Sequence, residues 1–112
     1  MKKQKLFLDA QKKQLVKNYD LQQKEDQVNQ KVVVKLFNPT GLGTWYLTEL
    51  NEVDNVAFGL SCLQEKELGY VDLNELTAFK GQFGLGVERD SSFPMNKKTL
   101  EECKQLNWIK NI

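Results

Sequence analysis

Histidine is absent from this 112-residue chain, arginine occurs once, at Arg89, and proline and cysteine occur twice each. Each scarcity excludes something. Without histidine there is no imidazole to activate a Ser, Thr or Cys nucleophile, and the commonest metal ligand is missing. Cys62 and Cys103 stand 41 positions apart with no Cys-x-x-Cys pair, so a zinc site would have to add carboxylates to two thiolates. No metal and no cofactor are therefore expected. The Gly-x-Ser-x-Gly, Walker A, His-Glu-x-x-His and dinucleotide-binding fingerprints do not occur. Gly81–Gly86 contains Gly-x-x-Gly-x-Gly, but it follows a helix where a phosphate cradle precedes one, and it reads as a helix stop and turn. No run approaches the roughly 20 apolar residues of a membrane span. The apolar stretch near the N-terminus is only Leu6-Phe7-Leu8, too short for a secretory signal. The expectation is a cytoplasmic protein, away from membranes, with reduced thiols.

An excess of one charge is also missing. Sixteen basic residues face 15 acidic ones, a net of +1, which argues against both a strongly basic nucleic-acid binder and an acidic mimic of DNA. The charge is nevertheless uneven. Residues 1–35 carry nine lysines and four acids, and residues 36–112 carry seven basic and eleven acidic side chains. This suggests a basic, polar, helical lead-in over 1–31 followed by a domain over 32–112.

What is present is enough for one core: 40% apolar residues, with 11 aromatic rings among them. Asp9 is placed to cap a helix that presents Leu15, Val16 and Tyr19. The polar run 20–31 reads as a helical extension or a linker. Val32–Phe37 is β-branched and dense, and Thr44–Leu50 alternates. In that second strand strict alternation puts Trp45, Leu47 and Glu49 on one face and Tyr46, Thr48 and Leu50 on the other. Val56–Leu63 and Glu67–Val71 add two further strands, with connections too short for crossover helices. Asp72-Leu-Asn-Glu75 is a capping box for a helix running to Gly81, and Thr99-Leu-Glu-Glu102 is a second. Val87–Arg89 is a candidate fifth strand. The expected fold is α+β: a single domain with a four- or five-stranded antiparallel meander, an N-terminal helix and two further helices.

Five segments in order carry a resemblance: Val33–Pro39, Thr44–Leu50, Asp54–Leu60, Glu67–Leu76 and Gly81–Phe93. Together they resemble a bacterial family of small proteins of unknown function carried on plasmids, conjugative elements and prophages. The chain departs from that pattern in two places. Leu63-Gln64-Glu65-Lys66 stands where a Gly-rich link is usual, and the N-terminal segment is longer and richer in Lys and Gln. The resemblance implies a mobile-element origin and no particular reaction.

The candidate binding residues are Trp45, Glu49, Glu67, Tyr70, Glu88, Arg89 and Asp90. Their carboxylates fall at strand ends and loops, and with Asp54 they would suit Mg²⁺ only if the strand ends converged. Arg89 between two acids reads as a structural ion pair, or as a planar fork for an anion. The leading expectation is a non-enzymatic interaction protein of a mobile element. It would bind a host or element-encoded protein and antagonise a defence nuclease of the CRISPR or restriction type. The alternative is a nucleic-acid-binding accessory protein for plasmid maintenance or transfer, with Lys12, Lys13 and Lys17 contacting phosphates and strand aromatics stacking bases.

Overall fold

The computed structural model describes residues 5–25 and 30–110, the stretch 106–110 as backbone only. Helix α1 is Asp9–Lys24. Strands β1 Val34–Phe37, β2 Thr44–Asn51, β3 Val56–Cys62 and β4 Lys66–Asp72 follow, then α2 Leu73–Ala78, β5 Glu88–Arg89 and α3 Leu100–Lys110. The strands form one antiparallel sheet in the order β4-β3-β2-β1-β5, a four-strand meander with β5 added beside β1. This is the expected α+β domain. Of the polar run 20–31, the chain is helical as far as Lys24, and residues 26–29 lie outside the described residues.

Both faces of the sheet are covered, which explains why its strands read as dense apolar runs. On one face Leu15 of α1 packs with Val34, Leu36, Leu47, Leu50 and Ala57, and α2 adds Leu73 and Leu76. On the other, Cys103 and Leu100 of α3 pack with Val32, Tyr46, Leu60, Cys62 and Phe93. Each fully buried aliphatic side chain contributes about 1.5–3 kcal/mol relative to exposure.

The capping expectations are met in part. Thr99 and Glu102 form their reciprocal box, Glu102 N–H donating to Thr99 Oγ1 and Thr99 N–H to Glu102 Oε1, both at 3.1 Å. Asp72 accepts from the amides of Asn74 at 2.9 Å and Glu75 at 3.4 Å. The first helix differs from expectation: Leu8 occupies the cap position, Asp9 is the first helical residue, and the Gln11 side chain accepts from Leu8 N–H at 2.8 Å. Gln11 thus supplies the half of a capping box that reaches back to the cap residue's own N–H. Helix α2 also stops earlier than Gly81, at Ala78. The chain leaves it because Gly81 N–H donates to Leu85 O at 2.7 Å, closing a short turn.

The alternation expected of β2 fails at one point. Leu47 lies opposite Gly59 and Glu49 opposite Phe58, so Thr48 is an extra residue on β2. A bulge exchanges the faces of everything beyond it. Glu49 therefore joins the α3-covered face with Tyr46 and Phe58. Leu50 joins Ala57 and Val71 on the face under α1. Two bonds hold the bulge: Thr48 Oγ1 donates to Phe58 O at 3.3 Å, and Asn18 Nδ2 of α1 donates to Thr48 O at 2.9 Å.

Candidate functional site

The bulge builds a cleft. Beyond the end of the α3 contact, the sheet face holds a hollow of about 270 Å³ lined by Thr48, Glu49, Phe58 and Tyr70, with Gln22, Gln30 and Leu100 closing it. Phe58 and Tyr70 sit opposite one another on β3 and β4, their rings edge to face with centroids 5.3 Å apart. Such a pair adds about 0.5–1.5 kcal/mol beyond its buried area. Tyr70 still leaves 78% of its surface exposed.

Glu49 is half-buried in this cleft, and no hydrogen bond or ion pair reaches its carboxylate among the described residues. Burial pushes its carboxyl above the ordinary value of 4.5. Gln30 donates through Nε2 to Asn18 O at 2.8 Å, and its Oε1 is buried with no donor. Thr48 Oγ1 spends its proton on Phe58 O. Glu49, Gln30 Oε1 and Thr48 Oγ1 thus offer open acceptors, beside the Gln22 amide and the Tyr70 hydroxyl.

The remaining candidate residues are scattered. Glu67 is exposed on β4, whereas Glu88 and Arg89 form β5, at the opposite edge of the sheet. Four interstrand spacings, about 19 Å, separate those strands. Asp90 pairs with Lys35 Nζ at 3.4 Å and accepts from Ser92 Oγ at 2.6 Å and Ser92 N–H at 2.9 Å. Burial opposes its charge, but the Ser92 bonds and Lys35 outweigh that and hold its carboxyl below the usual 3.8. Arg89 donates from Nη1 to the main-chain carbonyl of Lys5, tying the N-terminal segment to β5. Of the two acids beside Arg89, Asp90 is thus engaged by Lys35. Asp54 accepts from Asn51 Nδ2 at 3.1 Å in the β2–β3 turn. Among the described residues no group of three Cys, Asp or Glu side chains is placed to hold a metal ion.

Trp45 is only 8% exposed and belongs to the core under α1 and α2. Its ring edge reaches a shallow concavity of about 380 Å³ beside α2, where Leu42, Leu63 and Phe79 are exposed. Lys12, Lys13 and Lys17 lie on the outer face of α1, interleaved with Asp9, Asp20 and Glu52, and Lys12 pairs with Glu52 at 3.2 Å. Of the predicted site residues the fold brings Glu49 and Tyr70 into the cleft, sets Trp45 and Tyr70 on the concavity beside α2, and groups the three lysines on α1. Thr48, Gln22 and Gln30 went unforeseen, because they meet only through the bulge and the end of α1. Phe58 was findable from the register of the meander.

The second feature is the edge of the sheet. Leu73 N–H bonds Asn55 O at 3.1 Å, continuing the β3–β4 register. Antiparallel pairs alternate between bonded and non-bonded. The bonded pairs are therefore Ala57–Val71, Gly59–Gly69 and Ser61–Glu67, and the main-chain N–H and C=O of Leu68 and Tyr70 point outward. Among the described residues no main-chain or side-chain group bonds them from that side. Leu68 is 61% exposed, and β4 has neither a proline nor a break in its ladder.

No described helix is long and apolar enough to cross a membrane. Residues 6–105 match the family model described as Protein of unknown function (DUF2958). No curated protein and no solved structure matches the chain.

Proposed function

Because the chain belongs to the DUF2958 family, whose function is unknown, we propose a role from the surface itself: a non-enzymatic interaction module that captures an extended segment of another protein on the β4 edge. The observation that carries this is the outward-facing backbone of Leu68 and Tyr70 on a seven-residue edge strand. Natural sheets blunt such edges with prolines, bulges, inward-pointing charges or very short strands. Here the β5 edge is two residues long, whereas β4 is seven and regular, its charges Lys66, Glu67 and Asp72 near its ends and exposed Leu68 and Tyr70 at its centre. Strand addition draws affinity from main-chain bonds and specificity from side-chain pockets. In the mobile-element setting that the resemblance implies, the partner is a host or element-encoded protein, and a CRISPR or restriction nuclease is the occupant we favour. The nucleic-acid alternative has less support, since the α1 lysines share their surface with Asp9, Asp20 and Glu52, and Lys12 is held by Glu52.

The test is photo-crosslinking from position 63, beside the edge, in cells carrying a CRISPR or restriction nuclease, in wild type and in Leu68→Pro. Proline at 68 removes an outward N–H and leaves the β3 ladder whole. The expected result is a crosslink to the nuclease that L68P abolishes without lowering Tm by more than a few degrees. A crosslink indifferent to L68P, or a homodimer that L68P dissociates, overturns the reading.

A further inference from the structure

We infer that the cleft around Glu49 receives a basic side chain, Arg or Lys, carried by the captured segment. This deepens the strand-capture reading and rests on it. Four observations converge. Glu49 is a carboxylate with no partner among the described residues, and it stands in a hollow of about 270 Å³ that holds one side chain rather than a large ligand. Beside it Gln30 Oε1 is buried with no donor and Thr48 Oγ1 has given its proton to Phe58 O, so a ligand rich in donors meets acceptors that the fold leaves open. The apolar wall is the Phe58–Tyr70 pair, and a cation over an aromatic ring gains about 0.5–2 kcal/mol depending on desolvation. Finally, Tyr70 belongs to both features: its main chain faces the open edge, and its ring lines the cleft. A strand added outside β4 lies three interstrand spacings, about 14 Å, from β2, so the side chain that reaches Glu49 comes from where the captured segment leaves the edge and crosses over the Phe58–Tyr70 rings. Guanidinium, a flat fork of five N–H donors, matches this lining better than ammonium.

A hydrophobic side chain would leave Glu49 desolvated against an apolar group, which costs more than an open cleft. An acidic one would meet like charge. The cleft thus selects for charge sign before any other property of the partner.

The test uses the full ¹⁵N-labelled chain titrated with N-acetyl-arginine amide, and in parallel with N-acetyl-citrulline amide, its neutral isostere. The expected result is saturable millimolar binding of the arginine probe with shifts at Thr48, Glu49, Phe58 and Tyr70. Citrulline should bind at least fivefold more weakly, and Glu49→Gln should lose the difference. Tyr70→Ala should weaken the arginine probe about threefold or more. Equal binding of the two probes, or an E49Q variant that still discriminates between them, overturns the inference. Spermidine binding a hundredfold tighter than the arginine probe would assign the cleft to a free polyamine and overturn it too. Leu68→Pro separates the two proposals. It should leave the arginine titration unchanged, so a failure of the cleft does not erase an L68P-sensitive crosslink, nor the reverse.

Discussion

Asn18 of α1 donates its side-chain amide to the main-chain carbonyl of Thr48, the extra residue of the β2 bulge, at 2.9 Å. One bond thus joins the first helix to the irregularity that aims Glu49. Asn18 also accepts from Gln14 Nε2 at 2.7 Å and is itself buried. Removing its amide leaves a buried carbonyl without a donor, at a cost of about 1–3 kcal/mol. Asn18→Leu is expected to lower stability by that amount in urea unfolding, and to broaden or shift the amide resonances of Thr48 and Glu49 more than those of β4.

Gly59 and Gly69 face each other across β3 and β4 yet differ sharply in what surrounds them. A Cβ on Gly59 would stand 1.9 Å from Tyr46 O and 2.9 Å from Leu47 Cα, both main-chain atoms of β2, whereas a Cβ on Gly69 meets nothing within 4 Å. Gly59→Ala must push β2 away from β3 and is expected to cost about 3 kcal/mol, the upper end for overpacking, or to prevent folding. Gly69→Ala should be neutral or stabilise by about 0.5 kcal/mol, since alanine loses less backbone freedom. Chemical denaturation of the two variants side by side checks the contrast.

Burial pushes the Cys103 thiol from 9.0 up to about 11, and it raises Cys62 as well. Both groups are neutral when protonated, so a raised folded-state value means that the fold favours the proton. Their contribution to stability is complete below pH 9 and is lost as pH climbs toward 11. Unfolding free energy should therefore fall over that window, and Cys103→Ala should flatten the slope there while lowering stability at pH 7. Iodoacetamide should alkylate neither thiol in the native protein at pH 8 on the timescale that modifies the unfolded chain.

Glu49 carries the same kind of cost, but already at neutral pH. Its carboxyl is raised by burial, so the protonated form suits the folded state, and the stability it allows is present below 4.5 and declines as pH rises through the folded value. Glu49→Gln should raise Tm at pH 7 and make little difference at pH 4. Melting curves at the two pH values are the check. A side chain that weakens the fold where it sits is the expected signature of a residue kept for binding.

The meander was legible because its cues are local. Val32–Phe37 is β-branched, the connections leave no room for crossovers, and the Thr99–Glu102 box fixes where α3 starts. Three features were not legible. The cap of α1 was misplaced at Asp9, because a glutamine reaching back from Gln11 is a weaker signal than an aspartate. The faces of Glu49 and Leu50 were exchanged, because a bulge leaves no mark in the pattern of β2: Thr48 is as acceptable in a regular strand as in a bulge. The cleft depends on that exchange together with Gln22 and Gln30, which come from other segments, so only half its lining could be named. Glu88, Arg89 and Asp90 looked like a cluster because they adjoin in sequence. The sheet places them on the far edge, where Asp90 is engaged by Lys35.

The bulge also sets how the gene tolerates change. In a regular strand the loss of one codon carries every later side chain to the other face. Losing the codon for Thr48 would not, because the extra residue is the one removed: Glu49 would still stand opposite Phe58 and Leu50 opposite Ala57, in an even ladder. What would go are the two bonds that tie the bulge to Asn18 and to Phe58. The bulge thus makes β2 a strand that can shorten by one residue without exchanging a core leucine for a charge.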